Sequence, residues 1–297
     1  MRLGFLGLGV MGTPMAINLS KHYPLTAWNR SASKFHALKT SSPTARFAPT
    51  PTAVALNSDI IFTMLFNAPA IDSILTTSFL SSLRDKILIN TSSIPVSYSQ
   101  HLSTIIHSAG GKYIEMPVSG SKVPAEQGQL VGMIAGDPDV VEEIVKPVVK
   151  PVTCAAVYCG REIGSGLKMK YAVNTLLITL TVGLAESMNL ARAQGLDLEA
   201  WGKVLAAGPM ASRYSGVKVE KMLRGDWEAQ AAIKGCFNST ELIRAAAREV
   251  GVECPLMDVC GGLYGRAVEG GLGGEDMSAV GKVIGGIRKG IPPSTRG

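Results

Sequence analysis

Histidine and paired cysteines are scarce in this sequence, which narrows the chemistry open to it. The chain of 297 residues has four histidines, and all of them precede residue 110. The five cysteines include no pair with C-x-x-C spacing. A Cys/His zinc site or a Cys–His nucleophilic dyad is therefore poorly supported, and we predict no metal centre. An odd number of cysteines without a disulfide framework is typical of reduced thiols inside a cell.

Runs of like charge and long apolar runs are also absent. The 29 Lys and Arg residues exceed the 23 Asp and Glu residues by six, but they form no cluster of the kind that binds nucleic acid or anionic lipid. Such a surplus suits a small anionic ligand, or simply keeps the protein soluble. No uncharged apolar run reaches the roughly 20 residues of a membrane span, and no apolar leader precedes the first glycine motif. We therefore expect a cytoplasmic protein that binds neither nucleic acid nor membranes.

Glycine, in contrast, is abundant, and its most informative use is near the N-terminus. The apolar segment 2–6 is followed by Gly7-Leu-Gly9-Val-Met-Gly12, and then by apolar residues at helical spacing. In such a strand–turn–helix unit, Gly7 allows the tight turn, Gly9 lets the backbone approach a pyrophosphate, and Gly12 lets the helix pack against the strand. The free N–H groups of the helix N-terminus then face the phosphates. The motif predicts dinucleotide binding.

The end of the second predicted strand indicates which dinucleotide is bound. About 20 residues beyond the glycines, NAD enzymes usually carry an acid that binds the ribose 2′-hydroxyl. Here the residues are Asn29, Arg30 and Ser31, with Lys34 close behind. Arg30 can pair with a 2′-phosphate through two hydrogen bonds, and Ser31 and Lys34 can add to that site. We predict NADP(H); the alternative is a solvated loop arginine in an enzyme that uses NAD or either cofactor.

Strand-like and helical segments alternate through the first half of the chain. Apolar runs at 59–65, 86–90, 112–115 and 130–135 alternate with helical stretches around 68–78, 97–109 and 137–149. This is the α/β doubly wound pattern of a Rossmann-type fold. Ligands of such folds bind outside the carboxyl ends of the strands. The sequence places Met64 and Leu65, Ser93, and the segment 116–121 at those ends.

The segment 116–121 has the composition of an anion-binding turn. It reads Met-Pro-Val-Ser-Gly-Ser, so that Ser119, Gly120 and Ser121 offer successive backbone N–H groups and two hydroxyls. Such a concavity suits a carboxylate. The alternative is a plain Ser/Gly turn.

From residue 164 onward, helical periodicity replaces the strand pattern. We predict a Rossmann domain over residues 1–162 and an all-α substrate and dimerisation domain over 163–297, which begins with a long interdomain helix. Beyond its first turn this helix carries no charge from Tyr171 to Ala185, and we expect it to run through the middle of the fold. It also holds more apolar surface than a small α-domain covers alone, which favours a homo-oligomer.

Two lysines lie at the start of this helix. Residues four apart share a helix face, so Lys170 and Asn174 point the same way while Lys168 points elsewhere. We expect Lys170 at the cleft between the domains, where partial burial lowers the pKa of a lysine and suits it to proton transfer. The alternative is a pair of solvated lysines on a first turn.

Four blocks of sequence together resemble the β-hydroxyacid dehydrogenase family, and they cover almost the whole chain. They are GFLGLGVMG, the P-V-S-G block, the helix start G-x-G-x-x-x-K-x-x-x-N and the segment from Gly251 to Pro255. The spellings WNRS, PVSGSKVPAEQGQL, K-M-K and DMSAV are similar to the glyoxylate/succinic semialdehyde reductase branch. The resemblance implies a reversible NADPH-dependent reduction of small aldehyde- or keto-acids to hydroxyacids, and a homodimer or homotetramer.

The resemblance also implies roles for individual residues. Lys170 matches the catalytic lysine, the general acid when a carbonyl is reduced, and Asn174 matches the asparagine that orients the substrate and that lysine. Ser119, Gly120 and Ser121 match the loop that holds the substrate carboxylate, and Ser93 matches a position near nicotinamide and substrate. The predicted cofactor site comprises Gly7, Leu8, Gly9, Val10, Met11, Gly12, Asn29, Arg30, Ser31, Lys34, Met64, Leu65 and Ser93.

The chain departs from the family on a C-terminal helix. Where the family has a Lys-Asp pair that closes over cofactor and substrate, this chain has Asn238 and Ser239, with Lys234 one helical turn earlier. We predict that Asn238 contacts the substrate, and the lost lysine favours a less anionic substrate unless Lys234 compensates. Glu115, where the family often has Asp, is a milder departure. Two alternative functions stay open: an imine-type reductase on the same fold, and a dehydrogenase-like module that binds NADP(H) without turnover.

Overall fold

The computed structural model describes residues 1–284 of the chain. The chain divides into two compact units, Met1–Val173 and Asn174–Gly297. The division falls within a long helix, whereas the predicted domain boundary lies at 162/163, just before that helix. The division after Val173 separates compact units, whereas the predicted boundary marks where the strand pattern gives way to helical periodicity. The predicted domain boundary stays a prediction.

A mostly parallel sheet forms the centre of the first unit. Its strands are β1 (Leu3–Leu6), β2 (Leu25–Trp28), β3 (Arg46–Phe47), β4 (Ile60–Thr63), β5 (Ile87–Asn90), β6 (Lys112–Glu115), β7 (Val118–Ser119), β8 (Leu130–Ala135) and β9 (Thr153–Gly160). The order across the sheet is β3-β2-β1-β4-β5-β6-β8-β7, with β9 paired to β8. The six strands from β3 to β6 are parallel and have the doubly wound order 3-2-1-4-5-6, which confirms the predicted Rossmann-type fold.

The central strands are buried because helices cover both faces of the sheet. Their sequences are therefore apolar throughout rather than alternating, as in β1 (LGFL) and β4 (IIFT), where every residue is buried. Phe5 and Phe62 stack between these two strands with ring centroids 6.0 Å apart. Register then brings Thr63, Asn90 and Glu115 opposite one another at the carboxyl ends of β4, β5 and β6.

Short helices connect the strands of this unit. They are α1 (Gly12–Ser20), α2 (Phe35–Ser41), α3 (Pro51–Leu56), α4 (Ala68–Asp72), α5 (Thr77–Ser81), α6 (Val96–Ser108), α7 (Lys122–Glu126), α8 (Pro138–Val140) and α9 (Lys146–Val149), the last two joined by a π-helical turn. The single helix predicted around 68–78 is two helices, because Thr76 caps a new start by accepting a hydrogen bond from Phe79 N.

The second unit is helical throughout its described part, to residue 284. Its helices are the rest of α10 (Ser165–Ala193), then α11 (Leu198–Ala207), α12 (Arg213–Arg224), α13 (Ile233–Glu249), α14 (Pro255–Glu269) and α15 (Gly281–Ile284), with a 3₁₀ turn at Met277–Val280. A buried ion pair joins α12 to that turn: Lys218 Nζ lies 2.8 Å from Asp276 Oδ1.

In a single chain, α10 is buried along only part of its surface, not on every side as a helix in the middle of the fold would be. Ile178, Val182 and Met188 are buried, but Leu176 is 71% exposed and Leu190 is 61% exposed. A helix without charged residues can be buried on every side, but its composition does not show which of its faces other residues of the same chain pack against. By length and composition α10 could also span a membrane, a test that core helices of soluble proteins pass as well.

Candidate functional site

The glycine turn after β1 has the shape of a dinucleotide cradle. Gly7 has φ +106°, and a Cβ there would lie 2.3 Å from the Met64 carbonyl oxygen. A Cβ on Gly12 would lie 1.9 Å from the Gly7 carbonyl oxygen, so the helix start packs directly on the turn. A Cβ on the exposed Gly9 would meet nothing within 4 Å. Gly7 and Gly12 therefore lie against other backbone atoms of the protein, whereas the backbone at Gly9 is open to a ligand.

No side chain caps the start of α1, where Met11 holds the N-cap position. The first N–H groups of a helix lack intrahelical partners and attract anions. Val10 is 61% exposed and Met11 is half-buried, so both border the open side of the turn. Leu8 is buried, and its N–H donates to Asn29 Oδ1 at 2.9 Å. The predicted cofactor residues 7–12 therefore form one continuous turn that could hold a pyrophosphate.

Asn29 links this turn to the loop that follows β2. Its Oδ1 accepts from Leu8 N, and its Nδ2 donates to the Ser31 carbonyl oxygen at 3.0 Å. Arg30, Ser31 and Lys34 are exposed in the segment that follows β2. Within residues 1–284, neither Arg30 nor Lys34 forms an ion pair, so both cations are available to an anionic ligand.

Two further strand ends lie beside the glycine turn. Met64 N donates to the Leu6 carbonyl oxygen at 2.9 Å, and Leu65 N donates to Ser92 Oγ at 2.9 Å. Ser93 follows directly and is half-buried. The structure thus brings Met64, Leu65 and Ser93 to one edge of the sheet. Ser92 holds the Leu65 backbone, a role that the sequence analysis missed because the two serines cannot be told apart by spacing.

The segment 118–121 faces a lysine. Lys170 Nζ donates to the Val118 carbonyl oxygen at 2.6 Å, immediately before Ser119. Gly120 has φ +127°, so the chain turns sharply there, and Ser121 precedes α7 without capping it through its side chain. Ser119 and Ser121 are half-buried. The structure brings Lys170 to the predicted carboxylate loop.

Lys170 and Lys168 lie in different surroundings although they are two residues apart. Lys170 is half-buried, and burial lowers its pKa from the ordinary lysine value to about 8. Lys168 is exposed on another side of the helix. An amine with a pKa near neutrality can give or take a proton in turnover, so Lys170 is the better acid–base candidate.

Asn174 and Asn238 belong to the helical unit. Asn174 is half-buried on α10, one turn after Lys170 and on the same face of that helix. Asn238 is half-buried on α13, while Lys234 on the same helix is exposed. Their predicted contacts with substrate stay predictions. In residues 1–284, no three His, Cys, Asp or Glu side chains cluster as a metal site would require.

Glu115 is a buried acid that the sequence analysis noted only as a departure from the family. It is 0% exposed at the end of β6, and its carboxylate accepts from Leu167 N at 2.9 Å and from Ser99 Oγ at 2.6 Å. Burial raises its pKa above the ordinary value, although these hydrogen bonds act in the opposite direction. The acid directly after the apolar pair Tyr113 and Ile114 was the available signal.

Comparison with known proteins gives two family matches that follow one another along the chain. The NAD binding domain of 6-phosphogluconate dehydrogenase matches residues 2–160. The family described as NAD-binding of NADP-dependent 3-hydroxyisobutyrate dehydrogenase matches residues 164–284.

Individual relatives span nearly the whole chain. Glyoxylate/succinic semialdehyde reductase 2, chloroplastic, of Arabidopsis thaliana is 32% identical over 94% of this chain and 78% of its own length. Reductase 1 of the same name and organism is 31% identical over 94% of this chain and 97% of its own. The crystal structure of a 3-hydroxyisobutyrate dehydrogenase from Salmonella typhimurium superposes with a TM-score of 0.86 at 21% identity, covering 95% of this chain and 99% of that one.

Proposed function

Because the chain belongs to the β-hydroxyacid dehydrogenase family and is an NAD(P)-dependent oxidoreductase, we propose that it reduces small aldehyde- or keto-acids to hydroxyacids with NADPH. The reaction is reversible, and Lys170 is its general acid in reduction and general base in oxidation. One observation carries the proposal: the Lys170 ammonium lies 2.6 Å from the Val118 carbonyl oxygen, at the entrance to the loop 119–121.

Lys170 has the properties that this role needs. Its pKa of about 8 leaves the amine mostly protonated at neutral pH, yet able to release the proton during turnover. As the carbonyl carbon is reduced, negative charge develops on the substrate oxygen, and the ammonium stabilises that charge before it donates its proton. A half-buried position strengthens this interaction because less water screens it. In the reverse direction, the neutral amine takes the proton from the hydroxyl group.

The glycine turn and the loop after β2 fit a dinucleotide with a 2′-phosphate. Gly9 is open to a pyrophosphate, and the uncapped start of α1 supplies N–H groups. Arg30, Ser31 and Lys34 would hold the 2′-phosphate, since this loop offers two cations where an NAD enzyme usually has an acid. When bound, the nicotinamide supplies or accepts the hydride.

The loop 119–121 supports a substrate with a carboxylate. Ser119 and Ser121 offer hydroxyls, and Gly120 takes the left-handed conformation that turns the chain. Successive backbone N–H groups in such a turn bind anions. A substrate held there by its carboxylate would have its carbonyl close to Lys170. The names of the plant relatives support glyoxylate and succinic semialdehyde as the first compounds to test.

The test follows NADPH oxidation by absorbance with a panel of carbonyl compounds. The panel runs from glyoxylate and succinic semialdehyde to uncharged aldehydes of the same length, and every compound is repeated with NADH. We expect turnover of one or more small acids, and a higher kcat/KM with NADPH than with NADH. A matched pair such as succinic semialdehyde and butanal isolates the contribution of the carboxylate.

Three outcomes would change the proposal. Turnover of the uncharged aldehydes alone would mean that Asn238 has redirected the pocket away from acids. Turnover of imines but not of carbonyls would favour the imine-type reductase. Bound NADPH without turnover of any compound would favour a module that binds the cofactor only. The cytoplasmic location stays a prediction.

A further inference from the structure

The start of α10 is fixed by an acid buried beneath it. Glu115 is fully buried at the end of β6, and its two carboxylate oxygens accept hydrogen bonds from Gly164 N at 3.1 and 3.2 Å, and from Leu167 N at 2.9 Å. Ser99 Oγ donates to the same carboxylate at 2.6 Å. Backbone N–H groups in the first turn of a helix have no intrahelical partner. From outside the helix, Glu115 satisfies Leu167 N in the first turn of α10 and Gly164 N just before it.

The helix start approaches the strands so closely only because it carries glycines. Gly164 has φ +108°, which favours glycine, and it lies directly before the first residue of α10. A Cβ on Gly166 would lie 2.4 Å from the Met133 carbonyl oxygen and 3.1 Å from Glu115 Oε1. The local sequence therefore shapes this helix start to fit against β8 and the buried acid.

A chain of buried hydrogen bonds continues from Glu115 to the cofactor edge of the sheet. Ser99 Oγ lies 2.9 Å from Tyr113 Oη, and Asn90 Nδ2 donates to Tyr113 Oη at 3.1 Å. Asn90 Oδ1 in turn accepts from Thr63 Oγ1 at 2.9 Å and from Ser92 N at 3.1 Å. Ser92 holds the Leu65 backbone. The buried acid and the strand ends that border the predicted cofactor site thus belong to one polar network.

We propose that Glu115 is a positioning residue for Lys170: its carboxylate anchors the first turn of α10 and so holds the lysine against the loop 119–121. The inference rests on the proposed function for its catalytic consequence. Glu115 and Val118 belong to one short segment, and that segment contacts α10 at two points. Glu115 binds Leu167 N, and Val118 O binds the Lys170 side chain one turn later.

A third contact lies beside the lysine. Tyr171 Oη donates a hydrogen bond to the Ile94 carbonyl oxygen, next to Ser93. The start of α10 therefore has attachments to two different loops of the sheet edge. Without Glu115, the first turn would have unsatisfied N–H groups in an interior position, and these would draw in water or move the turn. Either change would give the Lys170 amine more contact with water.

The test compares Glu115→Met with Glu115→Gln. Both remove the negative charge and keep nearly the same length, but only Gln keeps an oxygen that can accept from the N–H groups of α10. The readout is the pH dependence of acetylation of Lys170 by acetic anhydride, followed by mass spectrometry. Lys168, which is exposed in the same segment, serves as the internal reference: its labelling should be the same in all variants if the reagent is equally active and the helix is folded. This readout requires no substrate.

We expect the wild-type labelling midpoint near pH 8. In Glu115→Met the midpoint should rise by about one pH unit, because the lysine regains water, and Glu115→Gln should stay close to wild type. Removing a negative charge would by itself lower the pKa of a nearby amine, so a rise cannot come from the charge. An unchanged or lowered midpoint in Glu115→Met overturns the proposal, and so does an equal shift in both variants.

The second measurement is turnover, and the second variant is Ser99→Ala. Glu115→Met should lower kcat by roughly 10- to 100-fold through misplacement of the acid. The KM for NADPH should change less than kcat, because the glycine turn is untouched and the polar network reaches the cofactor edge only through Asn90 and Ser92. In a Lys170→Ala background Glu115→Met should have no further effect on kcat. If Glu115→Met does not fold, Ser99→Ala removes one donor to the carboxylate and should raise the midpoint by a smaller amount.

The two proposals fail separately. Wild-type turnover in Lys170→Ala would overturn the role of the lysine in the proposed function, and the labelling midpoints would still decide whether Glu115 positions it. Loss of turnover in Lys170→Ala, with additive loss when Glu115→Met is combined with it, would overturn the positioning role and leave the reductase proposal standing.

Discussion

Lys170 differs from Lys168 by its neighbours rather than by its place in the sequence. Its Nζ donates to the Val118 carbonyl oxygen, and burial lowers its pKa to about 8. Lys168 is exposed. Helical spacing predicts that the two side chains diverge, but it cannot say which one meets the loop 119–121. That depends on how the helix start is seated on the sheet, which Glu115 and the glycines at 164 and 166 decide.

Replacing Lys170 by alanine should lower kcat by about 10²- to 10⁴-fold, the usual contribution of a general acid. NADPH should still bind, because the glycine turn and Arg30 lie at other strand ends. Steady-state turnover with the best carbonyl substrate and a titration of NADPH fluorescence measure the two effects. Lys168→Ala is the matched control and should keep wild-type turnover; equal rates for Lys170→Ala and wild type would remove the lysine from the mechanism.

Replacing Arg30 by alanine should reduce the preference for NADPH. A hydrogen bond to a charged group contributes about 1.5–3 kcal/mol, so kcat/KM with NADPH should fall by about 10- to 100-fold. The value with NADH should stay within about twofold, since NADH has no 2′-phosphate to lose. Lys39→Ala, an exposed lysine on α2, is a charge-matched control. Equal losses with both cofactors would mean that Arg30 does not read the 2′-phosphate.

At the scale of elements, two glycines of the turn have different roles: Gly12 allows close packing, whereas Gly9 leaves space for a ligand. A methyl group on Gly12 would lie 1.9 Å from the Gly7 carbonyl oxygen, whereas one on Gly9 would meet nothing within 4 Å. Gly9→Ala should therefore leave the Tm within about a degree or two and weaken NADPH binding, because the methyl group occupies the space of the pyrophosphate. Gly12→Ala should lower both the Tm and the affinity for NADPH. Calorimetry measures the Tm and a binding titration measures the affinity. Normal NADPH affinity in Gly9→Ala would argue against phosphate binding at the turn.

The helical unit has its own buried anchor. Asp276 is fully buried; it pairs with Lys218 and accepts from Gln230 N at 3.0 Å and Ser278 N at 3.1 Å. It therefore ties together α12, the loop before α13 and the 3₁₀ turn. Although burial opposes ionisation, the Lys218 ammonium and these hydrogen bonds hold the pKa of Asp276 below its usual value. Its contribution to stability is present above the ordinary aspartate pKa and is lost as pH falls through the lowered one.

Replacing Asp276 by asparagine should destabilise the protein by about 3 kcal/mol, because it leaves the buried Lys218 ammonium without its counter-ion. Urea unfolding followed by circular dichroism measures the loss. Glu220→Gln breaks an exposed ion pair with Arg224 on the same helix and should change stability by less than about 0.5 kcal/mol. A destabilisation as small for Asp276→Asn as for Glu220→Gln would show that the buried pair is dispensable.

The sequence predicts elements well where burial leaves a clear pattern. The apolar runs of β1, β4, β5 and β8 and the glycine turn have local signals, and β6 and β8 have the predicted bounds. β9, the partner of β8, was not predicted, although its apolar run from Cys154 to Cys159 could have marked it; three of its eight residues are exposed and five are half-buried. The two-residue β7 lies within the predicted Ser/Gly turn, because two residues are too few to show a strand pattern. Glu115 could be noticed as an acid but not placed, since its partners are 16 and about 50 residues away.

At the scale of the whole molecule, the apolar surface of the helical unit favours association of chains. Leu176 on α10 is 71% exposed and Val204 on α11 is 72% exposed, and a groove between α11 and α12 is lined by Val219 and Leu223. Burying such surface is favourable by about 25 cal/mol per Å². We predict a homodimer or homotetramer, with a mass by light scattering of two or four times 31.2 kDa.

Leu176→Glu should weaken that assembly, because it would place a charge in the covered surface. The mass should then fall toward that of one chain as the protein is diluted. Leu56→Glu, an exposed leucine on α3 in the first unit, controls for the added charge. A wild-type mass of 31.2 kDa at all concentrations would contradict the prediction.

The course of α10 limits how such enzymes can be recombined. The helix begins at Ser165, but the compact units divide after Val173, so a cut at that division would leave Lys170 on about two and a half turns of helix. Helical segments that short are marginal on their own, and Asn174 would come from the other parent. Chimaeras between related reductases should therefore be joined near residue 160, so that the lysine, its helix and the asparagine are inherited together. Glu115 would then come from the other parent, and it would have to be chosen to match.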